Sequence, residues 1–198
     1  MSVTGELADR PESWPVHSSR VLHADAWVVT VVEDEVSRPG HPEETFGRIA
    51  VRHPGAVMIL AVDDDERVLL MRQYRHTSQH VFVEIPAGVR DSEGEPAEET
   101  ARRELREEAE LAADEWRLLL STYPSAGILS ETHDIFLARG LRHAPRGDFT
   151  LEHEEAEMEL FWAPFDDLLD AALRGDVREG PLVQAVLAYE VLRRRGEL

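Results

Sequence analysis

Read as a pattern of apolar and polar positions, the chain is mostly short strand-like runs, broken by one central helical stretch and closed by two more. From Arg20, RVLHADAWVVTVVEDEV carries strand-forming residues on either side of a turn-like His-Ala-Asp and predicts two strands. The polar start before it, with Pro11 and Pro15, predicts a loosely tethered arm over residues 1–19. SRPGHPEET is a loop. FGRIAVRH, GAVMILAV and VLLMRQYR read as strands, the last two joined by a turn at DDDE. VFVEI, from Val81 to Ile85, is a short strand that Pro86 ends. EWRLLLSTY, THDIFLARGL and MELFWAP predict three more strands. PFDDLLDAAL and PLVQAVLAYEVLRRR predict amphipathic helices whose apolar positions belong to a core.

EPAEETARRELREEAEL is the strongest helix pattern. Pro96 suits a first-turn position, and Glu98 and Glu99 place negative charge at the positive end of the helix dipole. Ala97, Ala101, Leu105 and Ala109 recur every four residues as a buried stripe. At roughly 100° per residue, Glu104 and Glu108 fall beside that stripe, where a half-buried carboxylate is costly without a partner. With Glu107 they take the i, i+3, i+4 spacing at which like charges repel by a few tenths of a kcal/mol per pair. Either solvent and the neighbouring arginines absorb that cost, or a cation does. The order of elements predicts an α+β domain, a sheet packed between helices.

Composition narrows the chemistry. The 198 residues carry 40 acidic against 21 basic side chains, a formal charge of -19, which disfavours duplex nucleic acid and anionic membrane as partners. Every basic residue is arginine, so a phosphate-loop or Schiff-base lysine is excluded. The absence of cysteine excludes thiolate nucleophiles, disulfides and cysteine-ligated zinc. There is no HExxH, GxSxG, GxGxxG or GxxxxGK[ST], and the histidines are scattered without a metal-ligand spacing. The start MSVTGELADRPESW lacks the basic flank and apolar core of a signal, and no run approaches a membrane span, so the expected location is cytoplasmic.

EIPAGVRDSEGEPAEETARRELREEAEL resembles the Nudix box of the Nudix hydrolases: a glycine, five residues, a glutamate, seven residues, then Arg-Glu-apolar-x-Glu-Glu-x-Gly-apolar. Gly88, Glu95, Arg103, Glu104, Leu105, Glu107, Glu108 and Leu111 supply the matching positions. Two departures stand out: the first gap is one residue longer, a cheap loop enlargement, and Glu110 replaces the box glycine. The second removes the residue best suited to a left-handed cap, so the helix is expected to run on or end differently. The resemblance implies the Nudix fold, a mixed β-sheet between α-helices, here with an N-terminal β-strand arm. It also implies Mg²⁺, with Mn²⁺ as a substitute, held by Glu104, Glu107, Glu108 and the backbone carbonyl of Ala87. Mg²⁺ takes hard oxygen ligands and keeps several waters, and such ions neutralise a diphosphate and acidify an attacking water. Arg103 would orient a glutamate through an ion pair.

RQYR followed by EIPAG is similar to the branch that cleaves ADP-ribose and other ADP-sugars, in which Arg75 would contact substrate phosphate and Glu84 would lie near the nucleotide. PSAGILSE occupies a substrate-binding loop, giving Ser125, Gly127 and Glu131 as substrate-binding candidates, although Ala126 stands where that branch often has proline. EHEEAEME, Glu152 to Glu159, matches a mobile loop whose glutamate serves as general base or metal ligand. Glu155 is the candidate, with Glu154 and Glu157 as rivals. The catalytic set is thus Glu155, Glu107 and Arg103. Residues 1–54 are expected to form an arm that makes a homodimer, and residues 55–198 the hydrolase domain. The expected reaction is hydrolysis of ADP-ribose or a related ADP-sugar to AMP and a sugar phosphate. Three alternatives stay open: another nucleoside diphosphate substrate, a silent ADP-ribose sensor, and a structural acidic domain.

Overall fold

The computed structural model describes residues 7–24, 28–151 and 156–198. It forms two compact units, Met1–Arg52 and His53–Leu198. The first is a three-stranded antiparallel sheet of β1 (Val16–Ala24), β2 (Thr30–Ser37) and β3 (Thr45–Arg52), with β2 in the middle. β1 therefore begins inside the stretch whose prolines predicted a loose arm. Pro15 instead accepts a hydrogen bond from Ser37 N–H at 3.2 Å, and Trp14 meets Phe46 edge-on.

The second unit is built on β4 (Ala56–Ala61), a continuous apolar run because both of its faces are covered. Ala56, Met58 and Leu60 join one core with Phe165, Leu182 and Tyr189; Val57, Ile59 and Ala61 join another with Ala101 and Leu105. β4 lies inside a mixed sheet ordered β7 (Ala87–Val89), β4, β9 (His133–His143), β8 (Leu111–Thr122), in which β4 and β9 run parallel. A second, antiparallel sheet orders β10 (Glu159–Pro164), β5 (Arg67–Arg75) and β6 (His80–Glu84). Helix α1 (Ala97–Ala109) covers one face of the mixed sheet, and α2 (Phe165–Arg174) and α3 (Gly180–Arg195) feed the other core. The expected α+β arrangement, a mixed sheet between helices, is thus present.

Several boundaries differ from the sequence reading. β7, three residues after Pro86, has too little periodicity to announce itself. Pro96 is the N-cap of α1, one place before its first turn. Glu110 does not carry the helix on: it adopts the left-handed conformation itself, at φ 53° and ψ 36°, and its N–H bonds back to Arg106 and Leu105 carbonyls. That backbone costs a non-glycine residue about 1–2 kcal/mol. Ala144 N–H on the Glu110 carbonyl at 2.8 Å and Arg146 at 3.7 Å from its carboxylate offset part of it. Not every apolar position of the closing helices reaches the core, since Leu173, Leu187 and Val191 are exposed.

Candidate active site

α1 is held by its small stripe: Ala101 and Leu105 are fully buried, with Ala97 and Ala109 packed beside them. Burying Leu105 contributes about 2 kcal/mol and fixes the rotation of the helix. That rotation puts Glu104, Glu107 and Glu108 along the margin next to β7, with side chains only 12% and 13% exposed for the first two and Glu108 buried. Gly88 makes the close approach possible, because a Cβ there would fall 2.0 Å from Glu104 Cδ. Ala87 enters through its N–H, which donates to Glu108 Oε2 at 3.0 Å. This contact uses the N–H and does not bear on the Ala87 carbonyl, the atom expected to ligate metal.

Arg103 draws these carboxylates together. Its Nη1 lies 2.7 Å from Glu104 Oε1 and donates to Glu107 Oε2 at 2.9 Å, while Nη2 reaches Glu95 at 3.5 Å and Asp91 at 3.9 Å. Burial alone would lower the guanidinium pKa, but Glu104, Glu107 and Glu95 override it and raise it. Glu95 is fixed in turn by the buried Thr100 hydroxyl, which donates at 2.9 Å. In the sequence Glu95 is only a motif position; its contact with Arg103 crosses eight residues of loop and helix.

Glu84 is buried on β6 and receives a two-pronged ion pair from Arg75 on β5, with Nε at 3.0 Å and Nη2 at 2.5 Å. Arg75 is raised above the usual guanidinium value, burial being outweighed by Glu84, Glu179 and Glu108, so its charge is felt as far as α1. Glu179, the N-cap of α3, accepts from Leu182 N–H at 2.7 Å; burial and the nearby Glu84 push its carboxyl up to about 7, against the pull of that hydrogen bond, Arg75 and His133. No sequence spacing singles out Glu179. Glu131 is held below the usual carboxylate range by His133 first, with His53 adding to it against burial. Ser125 and Gly127 lie exposed on the turn after β8, where Ser125 accepts from Ile128 and Leu129 N–H. Glu154 and Glu155 fall outside the described residues, and Glu157 is exposed on a short helical turn before β10.

Do these residues suit a divalent cation? Glu95, Glu104 and Glu107 surround the single guanidinium of Arg103, and Glu108 lies one turn along the helix on Ala87 N–H, all of them hard oxygen donors and partly withdrawn from water. The cradle over Gly88 presses one of them against the sheet. This donor set fits Mg²⁺ or Mn²⁺. A tighter trio exists elsewhere: the ligand atoms of His41, Glu43 and Glu44, all exposed, lie within 4.8 Å of one another.

A family model described as "NUDIX domain" matches residues 51–186. The ADP-ribose pyrophosphatase of Mycobacterium tuberculosis is 39% identical over 175 residues, 88% of this chain and 82% of that protein. A CMP-5'-(N-acetyl-N-hydroxy-3-aminopropyl)phosphonate hydrolase of Streptomyces rubellomurinus is 35% identical, covering 82% of this chain and 75% of that one. Among solved structures, one described as an ADP compounds hydrolase superposes with a TM-score of 0.74 over 96% of this chain and all of that one, at 21% identity.

Proposed function

The chain belongs to the Nudix family as a Nudix hydrolase, and on that premise we propose that it cleaves the diphosphate of ADP-ribose or a related ADP-sugar, releasing AMP and a sugar phosphate. The observation that carries this reading is the α1 turn: Glu104 and Glu107 drawn to Arg103, Glu104 pressed against Gly88, and Glu108 held on Ala87 N–H. Glu104, Glu107 and Glu108 would hold Mg²⁺, which when bound neutralises diphosphate charge and lowers the pKa of a water. Arg103 keeps the glutamates aimed at one point, at the price of none of its own charge, since its pKa is raised. Arg75, already charged and anchored on Glu84, would receive substrate phosphate, and Ser125, Gly127 and Glu131 would line the loop that holds the rest of the substrate. Glu155 is our candidate base.

We assign residues 1–54 to a dimerisation arm, residues 55–198 to catalysis, and the protein to the cytoplasm, with nucleic acid and membrane excluded as partners. Support for a homodimer comes from β1, exposed along all nine residues, and from Val16, Val21 and Ile49 at 57%, 61% and 50% exposure. Among the described residues no helix is long and apolar enough to cross a membrane. The similarity to a CMP-phosphonate hydrolase favours, as a second reading, another nucleoside derivative as substrate. Incubation with ADP-ribose and Mg²⁺ in ¹⁸O-labelled water, against a panel of nucleotide sugars, decides both. The largest turnover on ADP-ribose with label in AMP or the sugar phosphate is expected; binding without hydrolysis would instead establish a sensor.

A further inference from the structure

The segments at the start of β4 and β9 are fastened together more tightly than their strand pairing requires. Ser130 Oγ accepts from His53 N–H at 3.0 Å, and Thr132 carbonyl accepts from Ala56 N–H at 2.8 Å. Gly55, at φ +103°, is pressed so near Thr132 that a Cβ would meet its hydroxyl at 2.7 Å. Between these fasteners lies Glu131, with His133 Nε2 at 3.3 Å and His53 Nδ1 at 3.4 Å, both from the same oxygen, Oε1. Gly55 N–H donates to His53 Nδ1 at 3.2 Å, which fixes that ring. Among the described residues, Oε2 of Glu131 takes no hydrogen bond.

His133 is only 7% exposed, and its other nitrogen, Nδ1, is buried with no hydrogen-bond partner among the described residues. An apolar side chain at this β9 position would avoid that loss of stability. The histidine's polar investment therefore goes into Nε2 and its one carboxylate. The ligand atoms of the trio do not all lie within 4.8 Å of one another. The trio does lie at the reaction end of the sheet. His133 pairs with Ala56, and Ala56 with Val89, the neighbour of Gly88. Two strand spacings, about 10 Å, thus separate His133 from the strand beneath Glu104.

We propose that His133 is a positioning residue for Glu131: by holding Oε1 it turns Oε2 toward the substrate loop, where it accepts hydrogen bonds from hydroxyl groups of the bound sugar nucleotide. A carboxylate at this distance from a diphosphate gains nothing from the phosphates, which it repels, so neutral hydroxyl donors are its natural ligands. The inference rests on the hydrolase reading and names the residue that gives the site its grip on sugar.

The test is a double-mutant cycle of His133→Leu and Glu131→Gln, followed by steady-state kinetics on ADP-ribose with Mg²⁺ and by calorimetric binding of ADP-ribose in EDTA. His133→Leu should raise KM and the EDTA dissociation constant roughly tenfold while kcat stays within about threefold. In the Glu131→Gln background it should add nothing, and His133→Gln, which keeps an N–H donor, should recover most of the loss. Additive effects, a fall in kcat at unchanged KM, or wild-type affinity in a folded His133→Leu would overturn the proposal. A wild type that binds ADP-ribose without cleaving it removes the hydrolase reading alone, because the cycle still reads out on affinity. A wild type that does neither removes both.

Discussion

Two acidic clusters stand out among the described residues, and the one that looks more like a metal site by distance is the weaker candidate. His41, Glu43 and Glu44 converge within 4.8 Å, yet all three are exposed on the loop between β2 and β3, and Arg38 already grips Glu44 at 2.6 Å. Water screens such charges, so their convergence costs little and implies little. On α1 Glu104 and Glu107 share Arg103, Glu104 sits against the Gly88 cradle, Glu108 takes a backbone N–H, and all three are withdrawn from solvent. Crowding charge there is costly, and a bound cation would offset it. Burial and fixed direction, more than closeness, distinguish a site from a solvated surface.

The largest effect that tests this contrast is on catalysis. Glu104→Gln or Glu108→Gln should lower kcat/KM about a thousandfold, the several kcal/mol expected of a metal's charge stabilisation, whereas Glu43→Gln with Glu44→Gln should change it less than twofold. Equal losses in both pairs would erase the distinction. Next comes the cradle. Gly88→Ala forces Glu104 aside, and a displacement of about 1 Å should cost roughly a hundredfold in kcat/KM in a protein that still melts cooperatively. Activity within threefold of wild type would mean that the contact with the strand is incidental.

Smaller effects fall on stability. Burial, with Glu84 nearby, pushes the Glu179 carboxyl from its ordinary value of 4.5 up to about 7. Its carboxyl is protonated in both states at low pH, so its burial is free of charge cost there; as pH climbs from about 4.5 toward 7 the unfolded chain ionises it first, and stability drains away. Glu179→Gln keeps the capping oxygen and should raise Tm by a few degrees at pH 8, on the order of 1–3 kcal/mol, with almost no change at pH 4. The same gain at both values would contradict the assignment. Least of all, Glu110→Gly relieves the left-handed cap and gives up the Arg146 contact. A rise of about 1–3 °C by calorimetry is expected, and a fall would mean that Arg146 outweighs the backbone.

Much of this was legible in the chain. β4 declared itself because both of its faces are buried, and α1 because a four-residue stripe of Ala and Leu lies beside a charged margin. The Nudix resemblance set out the residues of the turn in register. What escaped were features that depend on distant segments meeting: β7, three residues long; Glu95 reaching Arg103; Glu179 facing Arg75 across the fold; and His53 with His133, brought together by the parallel pairing of β4 and β9. Glu110 escaped for a different reason, since local propensity argued against the conformation that neighbouring Ala144 and Arg146 sustain.

The central claim is that a divalent cation binds at α1. Titration of Mn²⁺ followed by the loss of its free-ion electron paramagnetic signal tests it without recourse to turnover. Wild type and the Glu43→Gln, Glu44→Gln double variant should bind with the same affinity, and the Glu104→Gln, Glu108→Gln double variant should bind at least about tenfold more weakly. Undiminished binding in the α1 variant, or its loss in the loop variant, would contradict the account.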